Sequence, residues 1–282
     1  MPMLMPMPML RSSRLVRLAV ALVTAVSCST FAAAQSAPAT IAAPAIACSR
    51  TWVGHEAEIE QALTAGAVVR MEAVPVGVTK PQRGYLAAGS PVARFAWKAL
   101  PPQRRAGYSE SYKAEIAAYQ LDRLLEMHMV PPVVERRVDG RVGAAVMWIE
   151  DTKGWNIAKP IQGPEPQWSR QVSRMKLFDQ LIANIDRNQG NLLYDTDWHL
   201  FLIDHSRAFT MRSSLDGIAV PAAVDRDLWQ RIEALTPADL DRTLGAWLSD
   251  GERQAILKRR DKMRAAIDRL VKDKGAAMVF IG

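Results

Sequence analysis

Residues 178–209 read FDQLIANIDRNQGNLLYDTDWHLFLIDHSRAF. Just upstream and into this stretch, Val172, Met175, Phe178, Leu181, Ile182 and Ile185 recur at helical spacing. That spacing predicts a buried helix delivering the chain to Asp186-Arg187-Asn188-Gln189-Gly190-Asn191, a polar loop with a turn glycine. Leu192-Leu193-Tyr194 follows, then a turn at Asp195-Thr196-Asp197, then His199 to Ile203 running straight into Asp204. The result is an apolar hairpin with Asp186 and Asn191 at its entrance and Asp204 at its exit. Antiparallel pairing brings the two ends of a hairpin together, so these three polar side chains are expected to lie close in space.

Phosphoryl transfer needs such a set. One carboxylate positions the attacking hydroxyl, while a carboxamide oxygen and a second carboxylate hold the divalent cation that bridges the nucleotide phosphates. Asp186 and Asn191 stand five apart, the spacing of a kinase catalytic loop, and Asp204 stands where kinases place their metal-binding aspartate. With Ile203-Asp204-His205-Ser206-Arg207-Ala208-Phe209, the stretch resembles the atypical kinase group that includes the secretory-pathway casein kinases, the four-jointed kinases and the phosphatidylinositol 3- and 4-kinases. The resemblance implies an α+β, bilobal protein-kinase-like fold with a small sheet-rich lobe carrying one helix and a larger, mainly helical lobe. It implies ATP with Mg or Mn, Asp186 as proton acceptor, and Asn191 and Asp204 as metal ligands.

A kinase-like small lobe also needs a strand lysine for the phosphates and a helix glutamate to orient it. Lys98, in Phe95-Ala96-Trp97-Lys98-Ala99-Leu100, supplies the first, and Glu115, in Lys113-Ala114-Glu115-Ile116, the second. Gly77 to Gly84 forms a polar turn that resembles a phosphate-covering loop and brings in Thr79 and Lys80. Val146 to Glu150 ends a strand where a hinge would meet adenine, which brings in Trp148 and Ile149. The resemblance spans about Val68 to Phe209. It departs from the pattern in three places: Asn184-Ile185 precedes Asp186 instead of His-Arg, Ser206 replaces a glycine, and no Ala-Pro-Glu follows Phe209. The acceptor is therefore left open among hydroxyls of a protein, a lipid headgroup or a small molecule. Two other functions stay open on the same residues: a non-catalytic nucleotide- or ligand-binding module, and an adenylyltransferase.

Local patterns fill in the two lobes, placed at 52–150 and 151–282. A short helix is expected at Glu56 to Leu63, strands at Val68 to Val76, Gly84 to Ala88 and Val92 to Leu100, and a helix from Ser109 to Met127. Asp139-Gly140 suits a tight turn between strands Val133 to Val138 and Val142 to Ile149. From Trp168 the pattern is helical, apart from the hairpin. Thr236 and Ser249 each stand three residues before an acid, the signature of a capping box, and Ile256, Met263, Ile267, Leu270 and Val271 form the stripe of a terminal helix. Lys258-Arg259-Arg260 reads as the solvated face of that helix. His199, inside an apolar strand, reads as structural, and no zinc spacing is present.

The 282 residues are 49% apolar and 23% charged, the composition of a globular chain. Arg11, Arg14 and Arg17 precede the apolar run Leu18 to Val23 and small residues up to Ala34, the regions of a secretory signal peptide over 1–34. An Ala/Pro linker over 35–51 follows, and the expected placement is secreted or periplasmic. Cleavage would remove three basic residues and no acid, lowering the net charge from +7 to +4, which argues against nucleic acid as a partner. Cys48 alone would survive, so no intrachain disulfide is expected. No apolar run reaches the ~20 residues that span a bilayer, and a monomer is expected.

Overall fold

The computed structural model describes residues 52–75, 81–105, 108–155, 162–215 and 220–282, with the backbone alone at residues 104, 105 and 108. The expected signal peptide and linker, Cys48, Thr79 and Lys80 lie outside the described residues.

Alternation along the strands builds the small lobe. After helix α1 (Glu56–Ala65) come β1 (Val68–Ala73), β2 (Gln82–Leu86) and β3 (Arg94–Lys98), then a short ribbon, β4 (Gln103–Arg105) with β5 (Tyr108–Glu110), helix α2 (Tyr112–Leu124), and strands β6 (Val133–Val138) and β7 (Arg141–Met147). Five of these strands form one antiparallel sheet in the order β1-β2-β3-β7-β6. Side chains alternate between its faces. Phe95, Trp97, Ala145 and Met147 pack with Ile59 and Leu63 of α1, while Ala144 and Val146 pack with the core that α2 shares with the large lobe. The β6–β7 turn is Asp139-Gly140 with φ of 48° and 77°, the doubly left-handed turn that matches strand twist. Opposite Phe95, Gly84 leaves no room for a side chain: a Cβ there would stand 2.2 Å from the Phe95 ring.

The small lobe differs from expectation at the start of α2. Ser109 and Glu110 are paired in the β4–β5 ribbon, so the helix begins at Tyr112, and Ser111 caps it by accepting the Lys113 N–H at 3.0 Å.

In the large lobe, β8 (Lys153–Gly154) precedes α3 (Gln167–Leu181). The hairpin strands are β9 (Leu192–Tyr194) and β10 (Leu200–Leu202), and β8 adds a third strand to them. Helix α3 stops four residues short of Ile185, because Asn184 turns back onto Asp179: its N–H donates to Asp179 O at 2.8 Å and its Nδ2 to Asp179 Oδ1 at 2.9 Å. Then come β11 (Val224–Asp225), α4 (Arg226–Ala234), α5 (Pro237–Leu244), α6 (Asp250–Lys274), α7 (Ala276–Val279) and β12 (Phe280–Ile281), with β12 pairing parallel to β11. Both expected capping boxes form, Thr236 with Asp239 and Ser249 with Glu252. No described helix is long and apolar enough to cross a membrane.

The basic triplet in α6 is a correction to the sequence reading. Arg259 is fully buried and donates to Leu181 O at 2.7 Å, to Thr210 O at 3.0 Å and to Arg212 O. The C-terminal carbonyls of a helix have no partner within it, and Arg259 supplies one to the end of α3. Burial pushes its guanidinium down to about 10. Lys258 remains exposed, as expected.

Candidate active site

Strand β3 ends at Lys98, and the pleat turns Ala96 and Lys98 away from the Phe95–Trp97 face. They line a cleft of about 450 Å³ together with Arg94, Trp148, Ile149 and Asp204. Lys98 is buried, and its Nζ donates to Glu115 Oε1 at 2.5 Å and to Asp204 Oδ1 at 3.1 Å. Burial works to lower the Lys98 pKa, but Glu115 and then Asp204 outweigh it, so the ammonium is held above its ordinary value. Asp204 moves the other way: the Lys98 charge holds its carboxyl below the usual carboxylate range, against the effect of burial. Both groups are therefore charged at neutral pH.

The hairpin ties its entrance to its exit at Asn191. Ile203 N–H donates to Asn191 O at 3.2 Å, and Asn191 Nδ2 donates to Asp186 O at 3.2 Å. Nδ2 is engaged in this way, which turns the bond-making capacity left on the Asn191 amide to its oxygen. Asp204 adopts a left-handed φ of 62°, a conformation that aspartate tolerates better than most residues. Its Oδ1 takes both Lys98 and the Ser206 hydroxyl, the latter at 3.2 Å. Asp186 is half-buried, and Arg207 Nη1 lies 3.2 Å from its Oδ2.

Two residues that sequence reasoning left without a role hold this arrangement together. Arg187 donates Nε and Nη2 to Asp179 at 2.8 and 3.0 Å, Nη1 to Asn191 O at 2.9 Å and to Ile203 O at 2.8 Å, and Nη2 to His205 Nε2 at 2.9 Å. The fork of a guanidinium suits such multipoint anchoring. The His205 ring is buried edge-on against Phe178, and the backbone N–H of His205 donates to Glu115 Oε2 at 3.0 Å. Burial, then the Arg187 and Lys98 charges, hold its ring pKa well below the usual value, so His205 is neutral and its Nε2 accepts from Arg187. The sequence signal was the Asp-Arg pair at 186–187, which marked the loop without saying what the arginine would bind.

Trp148 and Ile149 line the cleft. The backbone N–H of Trp148 donates to Arg94 O at 3.0 Å, and Arg83 stacks over the Trp148 ring at 4.0 Å. Asp195, Asp197 and His199 bring possible ligand atoms within 4.8 Å of one another at the hairpin turn. There Asp195 Oδ1 accepts the His199 N–H at 2.7 Å, and Oδ2 lies 2.8 Å from Nδ1 of the same residue. These bonds close the turn, and His199 stands just before β10, not within the strand as expected.

No family model and no curated protein matches the sequence. Solved structures do match the fold. Hydra Fam20, solved with sugar, superposes with a TM-score of 0.62 at 17% identity, covering 79% of this chain and 90% of that one. The Golgi casein kinase with Mn/ADP bound gives 0.62 at 15% identity, covering 81% and 79%. A second structure of the Golgi casein kinase gives 0.62 at 15%, covering 80% and 79%. At such identities the likeness speaks for the fold, and with the five-stranded sheet, the helix α2 that bears Glu115 and the helical second lobe it establishes that the chain has the bilobal α+β fold of the atypical kinases.

Proposed function

We propose that the protein is a metal-dependent phosphotransferase, moving the γ-phosphate of ATP onto a hydroxyl of a protein, a lipid headgroup or a small molecule. The observation that carries this reading is the convergence of Lys98, Glu115 and Asp204 within bonding distance at the cleft, with Asp186 and Asn191 tied to the same hairpin. The likeness to a casein kinase solved with Mn/ADP supports it. In this reading Asp186 takes the proton of the acceptor hydroxyl as its oxygen bonds to phosphorus and the bond from phosphorus to the ADP oxygen breaks. Lys98, steadied by Glu115, holds the phosphates.

The residues present fit a hard divalent cation, Mg or Mn. Among the described residues, Asn191 has its amide nitrogen engaged and its oxygen left over, and Asp204 is a carboxylate whose Oδ2 is left over, since Lys98 and Ser206 both donate to Oδ1. When bound, such an ion neutralises phosphate charge. Thermal shift with ADP and Mn, with and without EDTA, tests the reading: a ligand at 100 times its Kd stabilises by about 2.7 kcal/mol, and EDTA should abolish that gain. ATP labelled at the γ or the α position then separates phosphoryl from adenylyl transfer. No shift with any nucleotide and metal overturns the proposal, and binding without transfer of either label points to the non-catalytic module.

A further inference from the structure

The Asp186 carboxylate is half-exposed, and among the described residues Arg207 is the one side chain bonded to it, through Nη1 at 3.2 Å. The same guanidinium gives Nε and Nη2 to Glu110 Oε1 at 2.8 and 2.7 Å. Glu110 is 1% exposed and its Oε2 has no hydrogen-bond partner among the described residues, where Arg207 is the cation paired with this buried acid. A planar fork can serve two carboxylates at once, which a point charge such as lysine cannot do with the same geometry. Glu110 takes the shorter contacts and offsets the positive charge, leaving Asp186 a looser, orienting one.

Glu110 also stands immediately before Ser111, the cap of α2. The start of that helix is fastened to three consecutive residues after Asp204. Ser111 N–H donates to Ser206 O at 2.9 Å, His205 N–H donates to Glu115 Oε2 at 3.0 Å, and Arg207 grips Glu110. The helix whose Glu115 orders Lys98 is thus entered directly from the residue, Glu110, that anchors the partner of Asp186.

We propose that Arg207 is a positioning residue: braced by Glu110, it aims the Asp186 carboxylate and ties that aim to the seating of α2. The inference rests on the phosphotransfer reading above. Burial opposes the Arg207 charge, but Glu110 and Asp186 more than offset it and hold the guanidinium above its ordinary value, so the clamp persists across the neutral range.

The test is steady-state hydrolysis of Mn·ATP by the full chain, with water as acceptor. Arg207→Gln should lower kcat by ~10- to 100-fold, the range that a misplaced catalytic group costs, with KM for Mn·ATP within about two-fold. Arg207→Lys should recover part of the loss. Because Arg207→Gln strands Glu110 and could unfold the lobe, Glu110→Gln with Arg207→Gln is measured beside it. That pair of neutral amides should melt close to the parent yet keep the kcat loss. In an Asp186→Asn background, adding Arg207→Gln should cost nothing more, because the arginine acts through Asp186. Unchanged kcat in the folded double variant, or a full further loss in the Asp186→Asn background, overturns the proposal alone. A parent that binds Mn·ADP but turns over no ATP overturns the phosphotransfer reading, and this inference with it.

Discussion

The ammonium of Lys98 lies 3.1 Å from Asp204 Oδ1, at the junction of the two lobes' chemistry. It is shared with Glu115, which is all but fully buried, so one cation compensates two acids that come from distant parts of the chain. A buried ion pair adds little net stability, but removing one partner leaves the other as an uncompensated charge.

Lys98→Met should therefore destabilise the fold by ~3–5 kcal/mol, since Glu115 would be left buried without its counter-charge. Adding Glu115→Gln should restore much of that loss, because the stranded charge is gone. Urea unfolding of the two variants gives the comparison, and equal loss in both would show that the pair does not set the stability of the lobe.

The same contact predicts a pH dependence. Lys98 holds the Asp204 carboxyl below its ordinary value, so its folded pKa is below the unfolded one, about 3.9. The stabilisation is then present above about pH 4 and is lost as pH falls through the lower folded value. Melting temperature followed from pH 6 to pH 3 should drop more steeply in the parent than in Asp204→Asn. Parallel curves would mean that the ion pair does not form in solution. On the alkaline side Lys98 is held above its ordinary value, so its contribution should persist up to at least pH ~10.

Asp186 and Asp204 should separate in kinetics and binding. Asp186→Ala should retain Mn·ADP binding by thermal shift while turnover falls by roughly 10²- to 10⁴-fold, the usual worth of a positioned proton acceptor. Asp204→Ala should lose the metal-dependent part of the shift as well. If both variants bind and react like the parent, the roles assigned to the hairpin are wrong.

Arg259 offers a test of the large lobe that owes nothing to catalysis. Arg259→Ala would strand the carbonyls of Leu181, Thr210 and Arg212, which its guanidinium now satisfies. At ~1–3 kcal/mol for each buried unpaired group, the loss should exceed about 3 kcal/mol in total. Lys258→Ala, one residue earlier and exposed, should change stability by less than ~0.5 kcal/mol. Equal effects at 258 and 259 would show that the triplet is a solvated face after all.

Much of the fold was legible because its signals are local. The alternation of residues 92–98, the Asp139-Gly140 turn, the two capping boxes and the hairpin between Asp186 and Asp204 are each written within about twenty residues of chain. Lys98, Glu115, Asp186, Asn191 and Asp204 could be picked out for the same reason, each standing in a short stretch of characteristic spacing. What joins those stretches was not written locally. That α6 passes over the end of α3 and buries Arg259, that β12 pairs with β11, and that β8 extends the hairpin are contacts between distant segments. The roles of Arg187, His205, Arg207 and Glu110 depend on such contacts too. A charged residue reads as solvent-facing until the fold brings an opposite charge or an orphaned carbonyl to it, and only the tertiary structure decides which one arrives.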